Sequence, residues 1–391
     1  MGFTEHKEIF RLAISGYYGF RNSGDEAVLR SILLALEDEG ASQGVKIQPI
    51  VLSADPAWTT SMYSVESVHR MRPAEVLRAL RGSDGLISGG GSLLQDATSA
   101  KTIPYYTGVM KLAQLLGKPT FAYSQGIGPV NRRFMDPLIR GVMRGSKYVS
   151  VRDAESAALL GRMGVDANRI DIVPDPVMGL PLPDEMAANV RSGELGAAAS
   201  VSAGHTPPIV GVSLRSWRAD GADMARAAEA LVALSKRRPV RLRFLPFHTP
   251  SDRVTSEAVM ERLSGKLGVG SSAELAAPGD DPQRMLLEVS QCDALFGMRL
   301  HALIYAANRH VPMLGLSYDP KIDQFLNRLG MKAIGSTEVL DAEAFADAAC
   351  ALLDSPDVWR AQHCEVIDQL KGQAKKPAQQ IIQLLRQYKS R

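Results

Sequence analysis

The sequence predicts an α/β protein of two Rossmann-like domains facing a cleft. Its 391 residues are too many for one small core and suit two domains of ordinary size. Apolar, strand-like runs alternate with amphipathic segments twice along the chain, which is the pattern of mainly parallel sheets covered by helices. Between the two series lies a stretch rich in Gly, Ala, Pro and Ser, with no periodicity.

The elements follow in order. "RLAISG" (11–16) reads as a buried strand. After it, Ser23 and Glu26 stand at capping-box spacing, and Leu29, Ile32, Leu33 and Leu36 form the apolar stripe of a helix. Further strands are expected at "KIQPIVLS" (46–53), "SDGLIS" (83–88), "PTFAYS" (119–124) and "YVSVRD" (148–153), with helices between them. Residues 1–178 make the N-terminal domain and 179–208 the linker. The second domain, 209–371, is expected to hold the strands "PIVGVSLR" (208–215), "VRLRFLPF" (240–247), "DALFG" (293–297) and "VPMLGLS" (311–317), with a helix near 221–237. The tail from Ala342 is helical, broken near Pro356 and Pro377.

Composition narrows the function classes. Apolar residues make up 45% and charged residues 22%, as in an ordinary soluble domain. The net charge, 45 − 42 = +3, is too small to argue for a nucleic-acid partner. No apolar run reaches the length of about 18 residues that spans a bilayer. The N-terminus carries neither a basic n-region nor a small-residue cleavage site, so a cytoplasmic location is expected. Cys292, Cys350 and Cys364 form no CxxC pair and fit a reducing compartment with no metal cluster.

Ligands of open α/β sheets collect beyond the carboxyl ends of the strands, so residues there are the candidates. The turn "SGYYGFRNSGDE" (15–26) offers free N–H groups and a positive helix end to an anion or a sugar hydroxyl. A tight, capped turn explains Gly16, Ser23 and Glu26, but not Arg21, Asn22 and Asp25. The turn matches neither GxGxxG nor a P-loop, so no nucleotide is indicated. In "LISGGGSLLQD" (86–96), Gly89, Gly90 and Gly91 either admit a ligand to the backbone or mark a cramped turn. Gln95 and Asp96, which follow, tilt that choice toward a site. "SQGIGP" (124–129) is a weaker third turn. Arg152 ends the strand "VSVR" and serves either a ligand or an ion pair, while Asp153 suits the N-cap of the next helix.

In the second half, Arg215, His248 and Lys321 each follow a strand and can converge on one crevice. "GMRLHALIYAA" adds Arg299 and His301 at a strand–helix joint, beside the stripe Leu300, Leu303, Ile304 and Ala307. At about 100° per residue, a continuous helix would put Arg299 and His301 on opposite flanks of that stripe. They share a ligand only if Arg299 lies in a non-helical lead-in turn and His301 in the first helical turn. There Arg299 can fork onto carboxylate or phosphate oxygens, and His301 can pass a proton. A structural pair for Arg299 and a carbonyl partner for His301 are the plainer alternative.

Taken in order, "GYYGFRNSGDEAVL", "GGGSLLQD", "SQGIGP", "VSVRDAES", "GVSLR", "PFH", "GMRLHALIYAA" and "SYDPK" resemble the polysaccharide pyruvyl transferase family. Within it the chain is similar to the cell-surface-anchoring type that modifies secondary cell wall polymers. The resemblance implies a GT-B-like fold, phosphoenolpyruvate as donor, and a pyruvate ketal bridging two sugar hydroxyls. It implies no cofactor and no metal. For the cell-wall branch it implies a lipid diphosphate-linked disaccharide acceptor, ketalised at O4 and O6 of N-acetylmannosamine.

On this resemblance Arg215, Arg299 and Lys321 of the C-terminal domain bind phosphoenolpyruvate, and Arg152 of the N-terminal domain joins them or reaches the acceptor instead. His301 protonates its vinyl carbon, with His248 the second candidate for proton transfer and Asp25 a base. Gly16, Asn22, Gly89, Gly90, Gly91 and Gln95 face the acceptor in the N-terminal domain, to which the last helix, 372–391, crosses back. The segment 131–148, "NRRFMDPLIRGVMRGSKY", is either a basic amphipathic helix resting on the inner face of the cell membrane or an ordinary helix packed inward. Two rivals make different demands. A GT-B glycosyltransferase using a nucleotide sugar needs a base-recognition segment, which is not evident. A periplasmic sugar-binding module needs a signal peptide and an aromatic-rich cleft, whereas aromatics are only 6%.

Overall fold

Apolar runs shielded on both faces become the central strands of two parallel sheets. The computed structural model describes residues 8–97, 99–183 and 206–389. In chain order the first elements are β1 (Glu8–Ser15), α1 (Ser23–Ser42), β2 (Val45–Ser53), α2 (Pro56–Tyr63), β3 (Glu66–His69), α3 (Pro73–Arg81) and β4 (Gly85–Ser88). They continue with β5 (Gly91–Leu94), α4 (Thr102–Leu115), β6 (Thr120–Ile127), α5 (Asp136–Gly145), β7 (Tyr148–Val151), α6 (Ala154–Arg162) and β8 (Ile170–Ile172). Next come β9 (Ile209–Ser213), α7 (Ala222–Arg237), β10 (Arg241–Phe244), α8 (Ser251–Leu263), β11 (Ser272–Leu275), α9 (Pro282–Ser290) and β12 (Ala294–Gly297). The chain then forms α10 (Leu300–Asn308), β13 (Met313–Ser317), α11 (Pro320–Arg328), β14 (Gly335–Ser336), α12 (Ala342–Asp354), α13 (Pro356–Gln373) and α14 (Lys376–Lys389).

These elements divide into two compact units. One comprises the chain up to Leu180 together with Leu370 onward, and the other Pro181–Gln369. Of the expected linker, residues 184–205 lie outside the described residues. The last helix, α14, buries Ala378, Ile381, Ile382 and Leu385 within the first unit, where it packs on α1. Lys376 pairs with Asp171 at 2.9 Å, and the Tyr388 hydroxyl donates to the Gly117 carbonyl at 2.9 Å.

The first sheet has the order β3-β2-β1-β4-β6-β7-β8, with β5 paired to the end of β6. The second has the order β11-β10-β9-β12-β13-β14. All pairings are parallel, for example Leu12 opposite Gly85 and Val212 opposite Phe296. In each sheet the chain builds three strands toward one side, then returns to build toward the other. The topological switch points are therefore β1/β4 and β9/β12, where crevices form beyond the strand ends. Backbone bonds span both switches: Gly89 N–H donates to Ser15 and Met298 N–H to Ser213, each at 2.8 Å.

The cores explain the rigidity of these strand ends. In the first unit Leu86, Ala122, Ile103, Met110, Ile139 and Met143 are sealed from solvent. In the second, Val212, Phe244, Phe296, Leu231, Leu234 and Phe345 play that part. Each such side chain contributes about 1.5–3 kcal/mol through burial. Among the described residues no helix is long and apolar enough to cross a membrane.

One cap differs from expectation. The N-cap of α1 is Asn22, whose side chain accepts from Gly24 N–H, and not Ser23. Glu26 forms no capping box. Its carboxyl is fully buried, taking Gly19 N–H at 2.9 Å and the Tyr63 hydroxyl at 2.8 Å.

Candidate functional site

The second unit gathers polar groups over four adjacent strand ends. Arg299 follows β12 with extended backbone (φ −76°, ψ 127°) and serves as the N-cap position of α10, so His301 falls in the first helical turn. This is the geometry that sharing a ligand requires. Arg299 is nevertheless not a free cation. Its Nε donates to Asp252 at 3.0 Å and a terminal nitrogen binds the other oxygen of the same carboxylate, leaving Nη1 outside the pair. Asp252 is fully buried in the first turn of α8, and it also accepts the His248 backbone N–H at 3.0 Å. Burying both charges costs less when they form such a fork.

His248, beyond β10, sits over this pair with Nδ1 2.8 Å from the Ser251 hydroxyl. Burial holds its imidazole below the ordinary histidine pKa, and the charges of Arg299 and Arg215 add to the effect against Asp252. At neutral pH the ring is therefore uncharged in the main. Arg215, beyond β9, differs from Arg299. Its guanidinium lies against the rings of Trp217 and Tyr318, at 5.3 and 5.6 Å, and approaches the Tyr318 hydroxyl at 3.4 Å. Among the described residues it has no carboxylate partner. Buried Asp223 holds the loop by accepting from Trp217 and Arg218 N–H groups. Lys321 lies in the first turn of α11, capped by Asp319, with its ammonium 3.8 Å from that carboxylate.

The switch point of the first unit is aromatic. Tyr18 is completely buried, and its ring explains two glycines: a Cβ at Gly16 would lie 2.2 Å from the ring, and one at Gly89 2.0 Å from the hydroxyl. A Cβ at Gly90 would meet Val28, and one at Gly91 would stand 3.1 Å from an Asp25 carboxylate oxygen. Asp25 thus sits between the two glycine turns. Burial pushes up the phenols of Tyr17, Tyr18 and Tyr106, the charge of Asp25 adds to the effect, and Arg70 opposes it at Tyr17 and Tyr106.

Arg70 is the residue that sequence reading missed here. It is 8% exposed, donates to the Gly16 carbonyl at 2.9 Å and to the Tyr106 hydroxyl at 3.1 Å, and lies over the rings of Phe20, Tyr105 and Tyr106. Among the described residues it has no carboxylate partner. Beside it, Tyr17 and Phe20 stack at 4.0 Å with an interplanar angle of 9°, each 41% exposed. The aromatic surface that composition seemed to deny is built from a few rings placed together.

Arg152 belongs to the first unit. It is 9% exposed, donates to the Ser92 hydroxyl at 2.9 Å and lies within ion-pair distance of Asp153 and Asp175. Asp153 caps α6 through Ser156 N–H. Gln95 folds back to accept Ala97 N–H at 2.8 Å. Buried Asp96 accepts the N–H groups of Asn131 and Arg132. Burial alone would raise its pKa, but these bonds and the Arg132 charge hold it low. The groups missed from sequence, namely Asp252, Trp217, Tyr318 and Arg70, carried one visible signal: Tyr318 lies within "SYDPK", three residues before Lys321, and Trp217 stands two residues past the Arg215 that ends "GVSLR". Among the described residues no group of three or more His, Cys, Asp and Glu side chains could hold a metal ion.

Comparison with solved structures gives the fold. The UDP-GlcNAc 2-epimerase of Neisseria meningitidis bound to UDP-GlcNAc aligns with a TM-score of 0.62 at 11% identity, covering 97% of this chain and 100% of that one. A glycosyltransferase from Rickettsia africae ESF-5 gives 0.63 at 12% identity, covering 98% of each chain. The UDP-GlcNAc 2-epimerase of Methanocaldococcus jannaschii gives 0.62 at 12% identity, covering 96% and 99%. At such identities the likeness is one of architecture, two Rossmann-like domains of GT-B type. No curated protein matches the sequence. The profile described as "Polysaccharide pyruvyl transferase" matches residues 22–320, well over half of the chain and nearly every strand end discussed above, and the chain belongs to that family.

Proposed function

We propose that this pyruvyl transferase takes phosphoenolpyruvate in its C-terminal unit and a lipid diphosphate-linked disaccharide in its N-terminal unit. It closes a 4,6-linked pyruvate ketal on the terminal N-acetylmannosamine, as in the cell-surface-anchoring type. The observation that carries the reading is Arg215, a guanidinium backed by two rings at a topological switch point and lacking a carboxylate among the described residues. Such a cation calls for an anionic ligand, and phosphoenolpyruvate brings both a carboxylate and a phosphate. Lys321 and the Nη1 of Arg299 supplement it, and the N-terminus of α10 adds its dipole. Arg152, enclosed by Asp153 and Asp175, orients Ser92 and the glycine turn in this reading.

In the reaction His301 gives a proton to C3 of the donor, and C2 becomes electrophilic. A sugar hydroxyl attacks C2, its proton passing to Asp25. The second hydroxyl then displaces phosphate from C2, and its proton leaves with the phosphate. One C–O bond to phosphate breaks and two C–O bonds to sugar form, with no oxidant or reductant required. The lowered pKa of His248 leaves less of it protonated to act as an acid at neutral pH and suits it to hold the donor's phosphate as a neutral partner. Tyr17 and Phe20 offer a stacking face to the acceptor sugar, steadied by Arg70. Lipid linkage of the acceptor goes with a cytoplasmic enzyme working at the inner membrane face.

The test is mass spectrometry of a lipid diphosphate disaccharide incubated with phosphoenolpyruvate. A pyruvate ketal with release of phosphate supports the reading, whereas an unchanged acceptor or a persistent enol ether contradicts it. A second reading, transfer from a nucleotide sugar, is favoured by the Trp217–Tyr318 pair, 4.7 Å apart, which could stack a base. Thermal stabilisation by UDP-GlcNAc and not by phosphoenolpyruvate would select it.

A further inference from the structure

The segment 131–148 turns one face into the core and leaves another exposed. Met135, Ile139, Val142 and Met143 turn into the core of the first unit. Phe134 is 73% exposed and Leu138 45% exposed. These two lie one helical turn apart, with exposed Pro137 and Gly141 between and after them. At about 100° per residue they form a strip beside a second strip of Arg133, Arg140 and Arg144. These three arginines are exposed, and among the described residues none of them has a carboxylate partner. Lys147 extends the basic strip, and Asp136 is the only acid between residues 129 and 147. An apolar strip and an unneutralised basic strip, side by side on one short helix and the turn leading into it, lack a structural purpose inside the unit.

The patch also touches the candidate acceptor site. Asp96, which ends the glycine-rich segment, binds the N–H groups of Asn131 and Arg132 at 2.8 and 2.7 Å, three and two residues before Phe134. We propose that α5 and the turn leading into it form a surface that docks on an anionic lipid bilayer, with Phe134 and Leu138 entering the interface and Arg133, Arg140, Arg144 and Lys147 meeting lipid phosphates. This deepens the proposed function and rests on its lipid-linked acceptor, because a docked surface adjoining Gln95 and Asp96 puts the glycine turn beside the carrier's headgroup. With only ten residues α5 lies on a bilayer and does not cross it. Each cation near an anionic surface strengthens attachment roughly five-fold.

The full chain is floated with vesicles of phosphatidylcholine alone and of phosphatidylcholine mixed with phosphatidylglycerol. Binding is expected only to the mixed vesicles, weakening as salt is raised. Two variants, F134S/L138S and R133E/R140E/R144E, should each lose it while keeping the wild-type melting temperature. Both should also keep wild-type turnover on a disaccharide diphosphate with a short, water-soluble tail, and lose at least ten-fold on the long-chain acceptor in mixed vesicles. Equal binding to both vesicle types, binding to neither, or wild-type binding by either variant overturns the proposal. If vesicle binding and its loss hold but no acceptor is ketalised, the docking surface stands and the functional reading falls.

Discussion

The two units fold alike and equip their switch points oppositely. At β9/β12 the second unit assembles Arg215, His248 and the Arg299–Asp252 fork, a polar crevice with one unneutralised guanidinium. At β1/β4 the first unit assembles Tyr17, Tyr18, Phe20 and Tyr106 around Arg70, with Asp25 the acid between two glycine turns. The parallel sheet supplies the place, and the loops decide what can be held there. In the proposed reading the second unit takes a small dianion and the first a sugar ring whose hydroxyls are deprotonated.

If this division is right, the largest effects come from the reacting groups of the second unit. His301→Gln should lower turnover about 10²–10⁴-fold with little change in melting temperature, measured as phosphate release. Near-normal turnover would move the proton transfer elsewhere. Asp252→Ala leaves Arg299 partly buried without its partner and should destabilise the protein by about 3–5 kcal/mol in denaturant unfolding. The double variant D252A/R299M should recover much of that loss, since an apolar pair avoids the desolvation cost. No recovery would mean that Asp252 acts mainly through His248.

The first unit should respond differently. Glu26 is buried and its pKa is raised to about 7, because burial outweighs the hydrogen bonds from Tyr63 and the turn. The native state therefore keeps a proton that the unfolded chain has released above about 4.5. Stability must fall as pH rises through the interval up to about 7, by on the order of 3 kcal/mol in all. Glu26→Gln should flatten that slope in thermal unfolding from pH 5 to 8; an unchanged slope would assign it to another group. The smallest effect is expected at the exposed ring pair. Y17A/F20A should raise the acceptor KM about 2- to 10-fold and leave the KM for phosphoenolpyruvate unaltered.

Much of the fold, and the cations at its strand ends, was legible in the sequence. The central strands were visible because they are apolar on both faces, and the cations Arg215, Arg299 and Lys321 because each interrupts such a run at its end. The short edge strands β3, β8 and β11 were not, since "ESVH", "IDI" and "SAEL" lack an apolar run. β5 lay hidden in "GSLL", which reads as part of a glycine turn. The long-range partners were invisible for another reason. Asp252 stands 47 residues from Arg299, and Arg70 stands 54 from Gly16, so no local pattern records either contact. The capping box failed because Ser23 and Asn22 are both good caps, and only the depth of Glu26 in the core decides between them.

The division rests on where the donor binds, and calorimetry of phosphoenolpyruvate binding tests that directly. Arg215→Ala should weaken the Kd about 10- to 100-fold, the effect of losing a charge-assisted contact, while Y17A/F20A binds as the wild type does. Unchanged affinity in Arg215→Ala, with loss in Y17A/F20A, would put the donor in the first unit and contradict the assignment of both crevices.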